Sequence, residues 1–248
     1  MEISKNRVNP SNTPESGDSS AGGRRYGGVD KDERQRQRRE RLIAAALAVF
    51  GEQGYHVSTV RDVCRHAELT SRYFYESFEG MEALFEAVYL SVSRELMTQT
   101  MAVLARTPLA PDQLAEAALR TFLEFIREDP RRARVMLIDA FTVGPGIQRI
   151  SAESNSDFAT VISSFIEMLF PDLRKVGLNP VLIGNGLVGS NVRLATMWVE
   201  EKCATPLEEM LRNMLAIFTA STEHARRLMA QVNAQPEAAT PEAPKPRA

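Results

Sequence analysis

Cysteine, histidine and tryptophan are scarce in this chain of 248 residues, which contains two, three and one of them. Cys64 and Cys203 are far apart and form no C-x-x-C pair, so the sequence predicts neither a disulfide framework nor a zinc site. No histidine is joined by Cys or Asp at metal-ligand spacing, and G-x-S-x-G, H-E-x-x-H and phosphate-binding glycine loops are missing. We therefore expect no enzyme, no metal and no cofactor.

Long apolar runs are also missing. The longest, residues 42–50, has nine residues, about half of what a transmembrane helix needs. The N-terminus lacks the charged-then-apolar pattern of a signal peptide, so we expect a soluble, cytoplasmic protein with no membrane partner. The formal net charge is only −2, but between Lys31 and Tyr75 there are nine basic residues and six acidic ones. This distribution favours specific rather than indiscriminate contact with DNA.

Residues 57–78 predict a short helix, a tight turn and a second short helix. In the first helix, Thr59 and Asp62 can form a T-x-x-D capping box. Val60, Val63 and Ala67 recur at helical spacing and form a buried stripe. This arrangement is typical of a DNA-binding helix-turn-helix, here over about residues 59–78.

The second of these helices carries polar groups that are suited to DNA. Phe74 and Phe78 are four residues apart and lie on one buried face. The other side carries a guanidinium, phenols and hydroxyls, which can bind base edges and phosphates. The alternative is an ordinary helical hairpin whose polar residues bind nothing. The candidate DNA-binding residues of this helix and its cap are Thr70, Ser71, Arg72, Tyr73 and Tyr75.

Residues 34–90 resemble the DNA-binding domain of the tetracycline-repressor (TetR) family of bacterial transcription regulators. The matching pieces, in order, are RLIAAALAVFGEQGY, TVRDVCRHAELT, YFYESF and EALFEAV. The resemblance implies that Thr59 and Tyr75 contact phosphates, and that Ser71, Arg72 and Tyr73 face the major groove. It further implies a homodimeric repressor on a pseudo-palindromic DNA operator, released by a small-molecule effector.

Three positions depart from the family pattern. Glu68 replaces a glycine of the turn, which requires a left-handed conformation or a different turn. Ser77 replaces a histidine, and Met81 replaces a basic residue that holds a phosphate. These losses leave an alternative function open: an all-α small-molecule or partner-binding protein whose DNA binding is weakened or lost.

Both ends of the chain have the composition of disordered segments. Residues 1–30 are rich in Ser, Gly, Asn and Pro and predict a disordered arm, and the Pro/Ala-rich residues 232–248 predict a disordered tail. A helix is predicted over residues 33–53, and the run KDERQRQRRER leads into it. The run is either a solvated helix start or a basic extension that reaches DNA. Its candidate DNA-binding residues are Arg36, Arg38 and Arg39.

The rest of the chain also has helical patterns, since no segment shows the sustained alternation of a strand. We predict an all-α fold with a three-helix DNA-binding domain over residues 31–80. A larger helical domain for effector binding and dimerisation follows over residues 81–231. Proline and glycine breaks place its helices near residues 81–105, 111–128, 131–143, 147–170, 180–202 and 206–231.

The last two predicted helices are candidates for a dimer interface. Glycines at positions 184, 186 and 189 lie inside the first of them, where each costs about 1 kcal/mol relative to alanine unless another helix backbone comes close. The resemblance implies that both helices pair with their copies across a two-fold axis; packing within one chain is the alternative. The candidate interface residues are Gly186, Gly189, Val192, Leu211, Met214 and Phe218.

The resemblance also implies a small-molecule pocket inside the larger domain. Large apolar side chains are the candidates for its lining, and they suggest a hydrophobic or aromatic effector. The alternative is that these side chains form an ordinary core. The candidate pocket residues are Phe122, Phe125, Met136, Phe141, Phe165 and Trp198.

Overall fold

The computed structural model of the chain describes residues 25–234, and all regular structure in this range is helical. The predicted all-α fold is confirmed. Most of the predicted disordered arm and tail falls on residues 1–24 and 235–248, which lie outside the described residues. Within the described range the α-helices are α1 (Arg25–Gln53), α2 (Val60–Ala67), α3 (Ser71–Ser77), α4 (Met81–Leu104), α5 (Pro111–Glu128), α6 (Pro130–Ala133), α7 (Pro145–Leu169), α8 (Pro180–Glu200) and α9 (Leu207–Ala234).

Helix α1 begins at Arg25, several residues before its predicted start, so the end of the predicted arm is helical. One i,i+4 pair joins the added turns to the predicted helix, since the Arg34 guanidinium binds the Asp30 carboxylate at 2.9 Å. Within the predicted range, the Gln37 amide donates to Glu33 at 2.9 Å. Such pairs along a helix need no packing partner.

Caps followed by proline begin two of the later helices. Asp129 accepts a hydrogen bond from the Arg131 N–H at 3.0 Å, and Asn179 accepts one from the Val181 N–H at 3.0 Å. Near the start of α9, the Glu208 carboxylate accepts hydrogen bonds from the Arg120 guanidinium at 2.5 and 3.0 Å. This ion pair ties α5 to α9.

The segment after α6 is not the regular helix predicted over residues 131–143. Helix α6 has a single turn and continues as a π-helical turn over Arg134–Ile138 and a 3₁₀ turn over Asp139–Phe141. A π-helical turn holds more residues than an α-helical turn, and such turns are frequent at functional sites. We call residues 134–141 the linking segment, because it contacts two different parts of the molecule.

One large apolar core extends from α1 to α9, and a smaller one lies among α7, α8, α9 and the turn after α7. The predicted interior of the first three helices is confirmed for Leu42, Phe50, Val63 and Phe74, whose side chains are fully buried. Burial of such side chains contributes about 1.5–3 kcal/mol each. None of the helices within residues 25–234 is long and apolar enough to cross a membrane.

Candidate nucleic-acid interface and internal cavity

Helix α2 begins at the predicted capping box. The Asp62 N–H donates to the Thr59 hydroxyl at 3.2 Å, and the Asp62 carboxylate accepts from the Thr59 N–H at 3.1 Å. The Thr59 hydroxyl also donates to this carboxylate at 2.6 Å, a bond that lowers the pKa of Asp62. The hydroxyl hydrogen of Thr59 is thus already used within the protein. A phosphate that bound Thr59 would have to replace this bond.

The turn between α2 and α3 is closed at Glu68 in a left-handed conformation, with φ 52° and ψ 41°. The Leu69 N–H donates to the Cys64 carbonyl at 2.9 Å, as in a helix that ends at glycine. A side chain in this conformation costs about 1–2 kcal/mol, because its Cβ approaches the following carbonyl. The Arg41 guanidinium donates to the Ala67 carbonyl at 2.7 Å and thereby ties α1 to the turn. The sequence allowed either a strained left-handed conformation at Glu68 or a different turn, and the structure has the left-handed conformation.

Helix α3 exposes the polar side chains that the sequence assigned to DNA reading. Thr70, Ser71, Arg72 and Tyr75 are exposed, whereas Phe74 is fully buried. Thr70 occupies the N-cap position of α3, but its hydroxyl makes no capping hydrogen bond within the described residues. A hydroxyl in this position can donate to a phosphate. Tyr75 is 63% exposed, which leaves its phenol accessible beside the helix.

Arg72 is held by a carboxylate on its own helix. Its Nε donates to Glu76 at 2.9 Å, and this hydrogen bond raises the pKa of Arg72. The Arg72 side chain is 83% exposed, so solvent screens the pair and the guanidinium can leave it for a base edge. Glu76 also places a negative charge on the surface that would approach DNA. Arg72 can therefore bind a base edge through its Nε only after its hydrogen bond to Glu76 breaks.

Two arginines of α1 stack on aromatic rings, one in α3 and one just after it. The Arg38 guanidinium lies 4.3 Å from the centre of the Tyr73 ring, and that of Arg39 lies 4.7 Å from the Phe78 ring. Tyr73 is half-buried, so it is less accessible than the sequence suggested. The structure thus places Arg38 and Arg39 beside α3. Arg36 pairs with Glu33 on its own helix.

The two positions where phosphate anchors are missing have roles within the chain. The Ser77 hydroxyl donates to the Tyr73 carbonyl at 3.0 Å, and Met81 packs against the main core. The replacements at Ser77 and Met81 therefore leave the exposed face of α3 intact. Cys64 of α2 is buried, and burial raises the pKa of its thiol, which lowers its reactivity.

An elongated cavity of about 170 Å³ lies inside the larger domain, and its lining is almost entirely apolar. We call it the apolar cavity. Its lining follows α4 from Tyr89 to Leu104, a distance of about 22 Å at 1.5 Å per residue. Of the predicted pocket residues, Phe122, Met136 and Phe165 line it.

The other three predicted pocket residues lie elsewhere. Phe125 is buried beneath the Arg132 guanidinium at 4.3 Å, and Trp198 is buried with its Nε1 donating to the Thr205 carbonyl at 2.8 Å. Phe141 is 47% exposed on the linking segment and lines a neighbouring cavity rather than this one. Phe125 and Trp198 line neither cavity, because helical spacing does not tell which part of a buried face meets a cavity and which meets another helix.

Polar groups that the sequence analysis missed are present in the apolar cavity. Asn155 of α7 and Asn191 of α8 line it, and both side chains are half-buried. The Tyr89 hydroxyl donates to the Ser151 hydroxyl at 3.1 Å, and burial raises the pKa of Tyr89. The signal that could have identified Asn155 and Asn191 is an amide on the apolar side of a helix, which needs a polar partner. Among the described residues, none with a charged side chain lines the apolar cavity.

The linking segment contacts the apolar cavity with one side. With the other side it contacts the DNA-reading unit, by which we mean residues 31–80. Met136 and Leu137 line the cavity. Asp139 is buried and accepts a hydrogen bond from the Tyr55 N–H at 3.0 Å, just before α2. The Arg134 guanidinium reaches the last carbonyls of α1 at 3.4 Å. A change at the cavity can therefore move the start of the helix-turn-helix through a few contacts.

Arg134 is only loosely held in this joint. Its Nε is buried without a hydrogen-bond partner in the described structure, and it lies 3.7 Å from Asp139 Oδ1. Gly54, at φ +88°, has no Cβ, and an added Cβ would meet the Arg134 guanidinium at 2.3 Å. Incompletely satisfied buried polar groups destabilise one arrangement relative to another. The joint is thus suited to a segment with two positions.

The candidate dimer residues divide into exposed and buried ones. Leu211 and Met214 belong to the main core, so their assignment to an interface was wrong, since the large apolar side of α9 faces the same chain. Val192 and Phe218 line the apolar cavity and are half-buried. Gly184 packs against α7, since an added Cβ would lie 2.8 Å from the Ala159 carbonyl oxygen. Gly186 and Gly189 are exposed, and an added Cβ would meet nothing within 4 Å.

Comparison with known proteins relates both halves of this arrangement to transcription regulators. Residues 42–88 match the family described as bacterial regulatory proteins, tetR family. The HTH-type transcriptional activator FasR of Mycolicibacterium smegmatis is 25% identical over 180 residues, which cover 72% of this chain and 78% of the relative.

Solved structures share the fold at low sequence identity. The fatty acid degradation regulator FadR from Bacillus halodurans aligns with a TM-score of 0.64 and 14% identity, over 73% of this chain and 94% of that chain. FadR from Bacillus subtilis in complex with stearoyl-CoA aligns with a TM-score of 0.64 and 15% identity, over 72% and 96%. These likenesses show the fold. The match over residues 42–88 identifies the helix-turn-helix unit as that of the TetR family, and the chain is a TetR-type DNA-binding transcriptional regulator rather than an enzyme.

Proposed function

We propose that this regulator binds a pseudo-palindromic operator as a homodimer and is released from it by a long-chain acyl effector. The observation that carries the proposal is the linking segment, whose residues line the apolar cavity and also hold the start of the helix-turn-helix. The proposed domains are residues 31–80 for DNA and residues 81–231 for effector and dimer. A regulator that acts on chromosomal DNA in this way works in the cytoplasm.

The exposed face of α3 supports the proposed DNA contacts. Ser71 and Arg72 lie in its first turn, the part of a recognition helix that reaches base edges. We assign Thr59, Thr70 and Tyr75 to phosphates. Arg38 and Arg39 add positive charge beside α3, and Arg36 stays a candidate contact of α1.

The two open glycines of α8 support the proposed homodimer. Gly186 and Gly189 have no neighbour that requires glycine, so their cost to the helix is offset only when something outside the described chain approaches. Apolar side chains are exposed near them, with Leu182 70% and Met197 38% exposed on α8 and Ile217 41% exposed on α9. These replace Leu211 and Met214 in the proposed interface. A two-fold pair of chains places its recognition helices about 34 Å apart or somewhat more, as two half-sites require.

The shape and chemistry of the apolar cavity support an acyl effector. A lining that extends about 22 Å along α4 without a charged side chain suits a long unbranched hydrocarbon better than a compact aromatic molecule. One protein with the same fold is a fatty acid degradation regulator, and another is a transcriptional regulator in complex with stearoyl-CoA. We infer that the effector of this chain comes from the same chemical class.

Effector binding can release DNA only if it favours an arrangement in which the recognition helices no longer match the operator. We propose that an acyl chain displaces Met136 and Leu137 and that the linking segment carries Asp139 and Tyr55 with it. The spacing of the two recognition helices then changes. Repression is the proposed outcome of binding, because a dimer on an operator that overlaps a promoter excludes polymerase.

Selection from random duplexes with the purified full chain tests the DNA-binding part. We expect enrichment of a two-fold-related sequence, a complex with the mass of two chains per duplex, and loss of the complex when palmitoyl-CoA or palmitate is added. Enrichment of no sequence would favour the alternative, a small-molecule-binding protein without useful DNA binding. A promoter fused to a reporter shows whether the protein represses or activates transcription. Repression requires higher expression without the protein, and the opposite result makes it an activator, as FasR is named.

A further inference from the structure

A second cavity of about 570 Å³ adjoins the apolar cavity. Leu137, Asn155 and Val192 line both, so the two spaces meet at these side chains. The character of the lining changes there. Within residues 25–234, no charged side chain lines the apolar cavity. The second cavity has a largely apolar wall too, but it adds hydroxyl, amide and charged groups, from Thr142, Asn155, Arg193, Thr196 and Glu200.

The second cavity is open to solvent along α8. Gly189, Val192, Arg193 and Thr196 contribute to its wall from that helix. At 100° per residue, Gly186 lies about 20° from Arg193 and Met197 about 40° from it on the exposed face of α8. The cavity mouth therefore borders the proposed dimer contact, and Gly189 belongs to both.

In the part of the chain that the structure describes, Arg193 is the one cation that lines the second cavity, and Glu200 is the one carboxylate. Their closest charged atoms are 3.9 Å apart, and the side chains are 65% and 57% exposed. A pair this long and this exposed contributes little to stability. Arg193 can thus exchange Glu200 for another anion at small cost.

We propose that the second cavity binds the anionic head group of the acyl effector whose chain fills the apolar cavity, with Arg193 as the residue that pairs with it. This inference rests on the proposed function and adds the polar end of the ligand to it. The shared ligand chemistry is an anion at the end of a long hydrocarbon, either a fatty-acid carboxylate or the phosphates of a coenzyme A thioester. Thr142, Thr196 and Asn155 supply hydrogen bonds around it. Glu200 competes with the ligand for Arg193.

The test compares three ligands that share one hydrocarbon chain: palmitate, palmitoyl-CoA and the uncharged methyl palmitate. Direct binding is measured on the full chain for wild type, Arg193→Gln, Glu200→Gln and Arg149→Gln. The last variant is the control, because Arg149 pairs with Glu153 at 3.8 Å on the exposed side of α7 and lines neither cavity. Arg193→Gln should weaken binding of at least one anionic ligand about tenfold and leave methyl palmitate within about twofold.

Glu200→Gln should strengthen binding of the same anionic ligand a few-fold, because the competing carboxylate is gone. A loss confined to palmitoyl-CoA identifies the phosphates as the bound anion, and a loss for palmitate identifies the carboxylate. If wild type binds these ligands and Arg193→Gln binds each of the three as tightly as wild type does, the head-group site is refuted while the proposed function stands. If wild type binds none of the three, the proposed effector class fails and this site fails with it.

Discussion

At the scale of single residues, Arg72 is the proposed reader of the DNA sequence. Its guanidinium is exposed at the start of α3 and is held by Glu76 at 2.9 Å. We expect Arg72→Ala to lower affinity for the selected operator roughly tenfold to hundredfold and to relax discrimination at one base position. Fluorescence anisotropy with the operator and with a scrambled duplex measures both effects.

Arg149→Ala is a suitable control for Arg72, since Arg149 also pairs with a carboxylate four residues later on an exposed helix face. It should bind both duplexes as wild type does. An equal loss for Arg72→Ala on operator and scrambled duplex would make Arg72 a phosphate contact and not a base reader. Glu76→Gln should raise affinity for both duplexes at low salt, because a negative charge leaves the DNA-facing surface.

Glu68 tests the strain in the turn between the two short helices. Its left-handed backbone is one that glycine adopts without cost. We expect Glu68→Gly to unfold with a free energy about 0.5–1 kcal/mol higher than Glu68→Ala, after the greater flexibility of unfolded glycine is subtracted. Both variants lose the 3.7 Å contact to Arg41, so the comparison isolates the backbone. Equal stabilities in urea denaturation would mean that the turn relaxes without strain.

At the scale of elements, the linking segment is where cavity and DNA-reading unit meet. Asp139→Asn removes the charge near Arg134 but keeps an oxygen that can accept from the Tyr55 N–H. We expect it to bind acyl ligand within about twofold of wild type, and to reduce the ligand-induced loss of DNA affinity about fivefold. Paired titrations of ligand and of operator measure the two quantities.

Glu208→Gln is the matched control, because Glu208 also joins two helices through an arginine but is remote from the linking segment in the chain and lines neither cavity. It should leave the coupling unchanged. Full ligand response in Asp139→Asn would show that the signal travels by another route, such as α4.

Local signals made the helix-turn-helix predictable, whereas the linking segment was not. The capping box at Thr59 and the spacing of Phe74 and Phe78 each act within a few residues, so the sequence alone specifies them. The π-helical turn after α6 depends on Arg134 and Asp139 reaching partners that are more than 80 residues away in the chain. No periodicity in the sequence encodes such contacts.

The same limit explains the mixed outcome for cavity and interface residues. Leu211 and Met214 were assigned to a dimer because their side of α9 is strongly apolar, but that side is covered by the same chain. Gly186 could be identified in advance, because a glycine inside a helix is costly without a close neighbour. Composition identified which side chains are apolar, and only packing decided what each one contacts.

At the scale of the whole molecule, the proposed reading of DNA uses two chains. The dimer can be tested at Gly186, where a side chain has free space within one chain. We expect Gly186→Leu to fold with unchanged helical content and to sediment as a monomer at concentrations where wild type is a dimer. Its operator affinity should fall, since one recognition helix contacts a single half-site.

Gln113→Leu, on the exposed start of α5, adds a similar side chain away from α8 and serves as the control. It should remain dimeric. A dimeric Gly186→Leu with wild-type operator affinity would place the subunit contact on another surface.

The coupling of the acyl ligand to DNA release is measured by anisotropy of a labelled operator that is already bound by the full chain, as palmitoyl-CoA or palmitate is added. We predict that one of them releases the operator, and that the ligand concentration for half-release follows its own dissociation constant. Methyl esters of short-chain fatty acids should release little. A complex that stays intact when the apolar cavity is saturated, as followed by direct ligand binding in the same solution, would show that the cavity does not control DNA binding.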